Sequence, residues 1–103
     1  MRLRELAHAR AGDKGNTSQI SVIAYDKADY DFLASHLSVD CVRRHFGLRV
    51  QGSIRRYEVP ELGALNFVMD GALESGVTRS LALDAHGKCL SSLMLALELP
   101  EGK

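Results

Sequence analysis

Ala7-His8-Ala9-Arg10-Ala11-Gly12-Asp13-Lys14-Gly15-Asn16-Thr17 sets two glycines among polar and charged side chains, between two segments that read as strands. Residues 2–9, with Leu3 and Leu6 among charges, are the weaker of the two; residues 17–25, rich in branched side chains, place Ile20, Val22 and Ala24 on one face. The pair predicts a β-hairpin. The run between them carries more polar groups than a turn requires, which makes it the candidate site.

Outward from the hairpin, the pattern alternates between helix and strand. Residues 26–37 read as a helix, with Leu33 and Leu37 one turn apart and Asp26, Asp29 and Asp31 early, where the macrodipole favours negative charge. Ser38 is placed to cap a second, short helix with the stripe Val39, Val42 and Phe46. Arg43, Arg44 and His45 in its last turn and Gly47 after it suit a helix end, so dipole and solvent roles explain that basic cluster before anion binding does.

Residues 52–59 read as a third strand stopped by Pro60. Arg55 and Arg56 necessarily face opposite ways there, so one of them has to emerge at an edge, pair with a carboxylate or line a pocket. For residues 62–73 the spacing of Leu62, Leu65 and Met69 predicts a short helix, with a strand over 65–68 as the alternative. A loop at Glu74-Ser75-Gly76 leads to a strand over 77–83, where Arg79 shares an apolar face and needs a partner; Asp13 and Asp70 are the candidates. Residues 88–97 carry the clearest helical stripe, Leu90, Leu93, Met94 and Leu97, although Leu93 to Leu99 also alternates with period two and could end as an edge strand.

The chain of 103 residues suits one domain, residues 1–103, and its 46% hydrophobic and 25% charged residues are those of an ordinary globular protein. Thirteen basic and thirteen acidic residues cancel, which removes the long-range field that nucleic acid or an anionic membrane would respond to. With no spanning segment and no signal-peptide pattern, the expected location is the cytoplasm. Cys41 and Cys89 lie far apart in apolar segments and read as buried free thiols. The interleaved elements predict an α+β two-layer sandwich, a mixed or antiparallel sheet with helices on one face. Its open face predicts pairing with a second copy, a homodimer or higher oligomer, or with a larger partner.

At the polar run, Gly12 and Gly15 could adopt left-handed backbone and form an anion-binding nest, with Lys14 adding a point charge for a carboxylate or phosphate. The plainer reading is a tight hairpin in which Asp13 and Asn16 tie down the backbone. Thr78, Arg79, Ser80 and Asn66 add donors if the fold brings them near. No nucleotide loop is complete, so no cofactor is expected. His36, His45 and His86 lack ligand spacing, so no metal site is expected, and the serines lack a nucleophile elbow. The catalytic candidates are His8 and Asp13, as bases.

His8 to Asn16, Leu62-Gly63-Ala64-Leu65-Asn66-Phe67-Val68, Gly76 to Leu81 and Asp84 to Lys88 resemble the small C-terminal domain of acyclic terpene utilisation (AtuA) proteins, which also occurs as a freestanding chain. The resemblance spans nearly the whole sequence, and the A-R-x-G-D-K-G-N signature is its most specific part. Ala11 stands where that signature usually has serine, which removes a hydroxyl from the loop. The resemblance implies a ferredoxin-like fold and a setting in catabolism of branched terpenoid or related acyl-CoA compounds. It matches Arg10, Gly12, Asp13, Lys14, Gly15, Asn16, Asn66, Thr78 and Arg79 to signature positions without supplying a reaction. Three functions stand at this point: an accessory module that binds an acidic ligand (a CoA thioester or carboxylate) or docks on a larger AtuA-type enzyme; a small lyase, hydratase or isomerase acting on acyl-CoA or hydroxy-acid substrates, using Asp13 or His8 as base and Arg10 or Lys14 to hold an oxyanion; and a structural oligomerisation domain.

Overall fold

The computed structural model describes residues 1–14, 17–47, 50–71 and 88–100, with residues 13, 14, 88 and 89 described by their backbone. The order of elements is β1 (Ala7–Lys14), β2 (Thr17–Ala24), α1 (Tyr30–His36), α2 (Val39–Phe46), β3 (Ile54–Val59), β4 (Ala64–Asp70) and α3 (Lys88–Leu95). Single 3-10 turns at Leu3–Glu5, Lys27–Asp29 and Pro60–Leu62 lead into β1, α1 and β4.

The four strands form one antiparallel sheet in the order β1-β2-β4-β3. Since β2 and β3 each run antiparallel to β4, they are parallel to one another with β4 between them, and α1 and α2 make the crossover. That is a split β-α-β unit. After β4 the chain reaches α3, and its tail returns to the start: Leu99 N–H donates to Met1 O at 2.7 Å, the Met1 ammonium to Leu99 O at 3.0 Å, and Leu3 N–H to Leu97 O at 2.9 Å. Arg2 faces Glu98 in a β-bridge and pairs with its carboxylate at 3.2 Å. Read from β2 round to β1, the order is the β-α-β-β-α-β of a ferredoxin-like fold, with β1 filling the slot of the last strand.

The pleat sorts the side chains. Ile20 and Val22 of β2, Leu65, Phe67 and Met69 of β4 and Ile54 of β3 are buried, and they join Leu33, Leu37, Val42, Phe46, Leu90 and Met94 from the helices in a single core. The sandwich is therefore two-layered, helices on one face. Among the described residues no helix is long and apolar enough to cross a membrane.

Ser38 caps α2, its hydroxyl accepting from Cys41 N–H at 3.1 Å, and Gly47 ends it at φ 59°. The expected α3 stripe is also present, with Leu90, Met94 and Leu97 buried, and the tail ends in the Arg2–Glu98 bridge. Two expectations are corrected. The first strand is Ala7–Lys14 rather than 2–9, because Leu3 and Leu6 are drawn into the core by the 3-10 turn that precedes it. Residues 64–70 form a strand and not a helix: both neighbours, β2 and β3, bond to this segment, and period-two burial of Leu65, Phe67 and Met69 outweighs the helical spacing. The strand expected over 77–83 and the loop before it lie outside the described residues.

Candidate functional site

Register determines what the polar run can do. Ala7 to Lys14 is strand throughout, paired with β2 from Ala7↔Ala24 to Lys14↔Thr17, so only residues 15 and 16 separate the strands. Gly12 lies within the strand opposite Gln19, and among the described residues the glycines with positive φ are Gly47, Gly63 and Gly71. The nest expected at Gly12 is thus not formed there: strand pairing holds it in extended backbone.

Carrying the register across the sheet gives one row, Arg10–Ser21–Asn66–Tyr57, on the face away from the helices. Ser21 Oγ donates to Asn66 Oδ1 at 3.2 Å, which fixes the amide with its NH₂ free to donate. Arg10 is exposed and makes no ion pair with a described residue; Tyr57 is 48% exposed. The row therefore offers a guanidinium, an amide NH₂ and a phenol hydroxyl on one open surface. His8 and Tyr25 stand beside it, rings stacked at 5.6 Å.

At the end of this face Asp70 gathers donors from three segments. Ser53 Oγ reaches Oδ2 at 2.9 Å, Thr17 Oγ1 reaches Oδ1 at 3.2 Å, and Arg55 Nη2 reaches both oxygens at 3.2 and 3.4 Å. The Ser53 hydrogen bond chiefly, with help from Thr17 and Arg55, holds the Asp70 carboxyl below its ordinary pKa, against partial desolvation. Gly52 makes this junction possible: a Cβ there would lie 2.5 Å from the Asp70 carbonyl oxygen. Asp70 is thus the partner of Arg55, while Arg79, for which it was a candidate, lies outside the described residues.

Arg56, Arg43 and His45 hold the fold together. Arg56 donates to the carbonyls of Ala34 and Leu37 at 2.9 and 3.0 Å, closing the end of α1, and to Glu58 at 2.7 Å. Arg43 donates to Gly52 O at 2.6 Å and His45 Nε2 to Leu93 O at 2.6 Å, so two of the three basic residues in α2 clip it to its neighbours. Cys41 is a free, half-buried thiol whose pKa is raised by burial, opposed by Arg44.

The structure therefore brings Arg10 and Asn66 together in one row, with His8 two residues along the same strand face. Asp13 and Lys14 take the register positions opposite Ser18 and Thr17, so Asp13 belongs to the alternate set of β1 positions from Arg10. Gly15, Asn16, Thr78 and Arg79 lie outside the described residues. Ser21 and Tyr57 were missed. Ser21 could have been found by counting back from a two-residue connection at 15–16; Tyr57 needs the β3–β4 register, which no local signal gives. Among the described residues no group of three or more histidine, cysteine or acidic side chains could hold a metal ion.

The model of the AtuA ferredoxin-like domain matches residues 1–100. The chain belongs to the AtuA ferredoxin-like domain family. Neither a curated protein nor a solved structure matches it. For this AtuA-type domain, the family match covers both strands that supply Arg10 and Asn66.

Proposed function

We propose that this AtuA-type domain is a non-catalytic accessory module that takes an acidic ligand, a carboxylate or a CoA thioester, on its open sheet face. The observation that carries this reading is the Arg10–Ser21–Asn66–Tyr57 row: one exposed cation with two neutral donors, at strand positions that face away from the core. A guanidinium and an amide NH₂ match the oxygens of a carboxylate or the carbonyl of a thioester. The one acid described on this face, Asp70, already accepts from Ser53, Thr17 and Arg55, so it does not compete for Arg10. The AtuA assignment is consistent with a ligand from terpenoid or acyl-CoA catabolism and with a larger enzyme of that pathway as the recipient of the module.

The lyase or isomerase reading has less support. His8 stacks on Tyr25, with no hydrogen bond to an orienting carboxylate among the described residues. Asp13 and Arg10 fall in alternate sets of β1 positions. A general base needs both reach and orientation.

Thermal unfolding of the wild type and of Arg10→Ala against CoA thioesters, short branched carboxylates and phosphate tests the proposal. A ligand at about 100 times its Kd stabilises by about 2.7 kcal/mol. A shift with carboxylates that Arg10→Ala removes is the expected result. No shift with any of them, or an equal shift in both proteins, overturns it.

A further inference from the structure

The open face is not uniform along its strands. One row from Arg10–Ser21–Asn66–Tyr57, two residues or roughly 7 Å toward the start of β1, the register aligns His8–Ile23–Ala64–Val59. Ile23 and Val59 are half-buried and Ala64, in the position between them, is buried, so three neighbouring strands present aliphatic side chains there. Tyr25, four residues along from Ser21, ends this stretch; it is 65% exposed, with its ring against His8. In the opposite direction the next row is Gly12–Gln19–Val68–Arg55, and beyond it Asp70 takes its hydrogen bonds from Thr17, Ser53 and Arg55. The face is therefore polar toward the β1–β2 connection and apolar toward Tyr25, with Arg10 and the Asn66 amide at the boundary. Arg10, His8, Tyr25 and Tyr57, which bracket the Ile23 row, are all exposed. An aliphatic strip rimmed by polar groups gains free energy when a ligand covers it.

We infer that the acidic ligand of this face is an aliphatic monocarboxylate lying along β2, its carboxylate at Arg10 and Asn66 and its chain over Ile23, Val59 and Ala64 toward Tyr25. The inference rests on the ligand reading given above and narrows it to one class. Charge selects the head group: the exposed Arg10 guanidinium pairs with a carboxylate, whereas a thioester carbonyl brings no charge to it. The order of the rows selects the direction. A chain turned the other way would cover Gln19 and the Arg55–Asp70 pair and take water from them without offering a hydrogen bond in return. A second carboxylate at the far end of the ligand would be set among the aliphatic side chains, so a dicarboxylate of the same length is excluded by the same cost. From Ser21 to Tyr25 the strand rises roughly 14 Å, which sets the length of chain that the strip can cover.

Titration of acetate, butyrate, hexanoate, octanoate and octanoyl-CoA into isotope-labelled wild type, Ile23→Thr, Val59→Thr and Arg10→Ala, followed by amide chemical shifts, tests this, with circular dichroism to confirm folding. Threonine keeps the branched shape that a strand favours, and the two positions lie on different strands, so one variant stands in if the other fails to fold. The expected outcome is a Kd that falls about twofold per added methylene through octanoate, half of the roughly fourfold that full burial gives, because an open face covers one side of the chain. Ile23→Thr should weaken octanoate by about fourfold and leave acetate unchanged, and Arg10→Ala should weaken every carboxylate. An affinity that is flat from acetate to octanoate overturns the inference and leaves the ligand reading of Arg10 standing, as does binding of octanoyl-CoA without octanoate. No binding by any of these compounds, or binding indifferent to Arg10→Ala, overturns both. A chain-length gain that neither threonine variant reduces also overturns the inference. So does a wild type that sedimentation velocity finds dimeric and Ile23→Thr makes monomeric, since a second copy then covers the strip.

Discussion

Ser21 and Asn66, 45 residues apart in the chain, stand opposite one another on neighbouring strands and are joined at 3.2 Å from Ser21 Oγ to Asn66 Oδ1. The bond occupies the acceptor end of the amide and leaves the donor end turned to the same surface as Arg10. If the row recognises carboxylates, the chemistry at position 66 decides binding. Asn66→Asp places a carboxylate in the row of Arg10, across Ser21 from it, and replaces the free donor with an acceptor. The expected outcome is loss of the carboxylate-induced thermal shift with phosphate-free unfolding otherwise cooperative. A shift of wild-type size would remove Asn66 from the site.

Asp70 makes the fold sensitive to acid. Its carboxyl is held below the ordinary range in the folded protein, so the unfolded chain binds more protons as the pH drops. The stability it contributes is fully present above about pH 4, the ordinary aspartate pKa, and is lost as the pH falls through the lower folded-state value. Asp70→Asn should therefore be less stable than the wild type at neutral pH, and the gap should narrow on acidification. Denaturant midpoints at pH 7 and at about pH 3 measure it. A gap that is constant with pH would mean that the carboxylate charge contributes nothing.

Arg56 sits in the row of Phe67, facing the helices, and its side chain is 20% exposed. Carbonyls at a helix end have no partner within the helix, and here the guanidinium supplies one to Ala34 and Leu37. Arg56→Met keeps much of the apolar stem and removes the donors. Since hydrogen bonds to charged groups contribute about 1.5–3 kcal/mol, the variant should lose about 2 kcal/mol of unfolding free energy, seen as a lower urea midpoint at unchanged slope.

How far these features could be read in advance depends on sequence distance. The cap at Ser38, the stop at Gly47 and the stripe through Leu90 and Met94 are local, and the structure has them as read. That one of Arg55 and Arg56 would have to find an edge, a carboxylate or a pocket was legible from alternation alone, since two adjacent arginines on a strand face opposite ways. Which partners they found was not. Asp70 reaches Arg55 only because Gly52 lets two backbones approach, and Arg56 reaches α1 only through the crossover. The strand at 64–70 was misread because Leu62, Leu65 and Met69 fit a helix as well as Leu65, Phe67 and Met69 fit a strand. The arbiter was pairing with β2 and β3, which is non-local. For the same reason Arg10 and Asn66 were both flagged, but their row was not.

Tyr30 offers a test of the opposite sign, in which a side chain is trimmed and the protein gains. Its ring is buried at the start of α1, and its hydroxyl has no hydrogen-bond partner among the described residues. Burial, chiefly, and the nearby Glu58 carboxylate raise its pKa, so the neutral phenol persists in alkali. An unsatisfied buried donor costs about 1–3 kcal/mol, and phenylalanine fills the same space without it. Tyr30→Phe is expected to raise unfolding free energy by about 1 kcal/mol, which for a domain of this size is a Tm increase of about 4–8 °C. A fall in Tm would show that the hydroxyl has a partner in solution, and a water molecule bridging toward Arg56 or Glu58 would then be the group to look for.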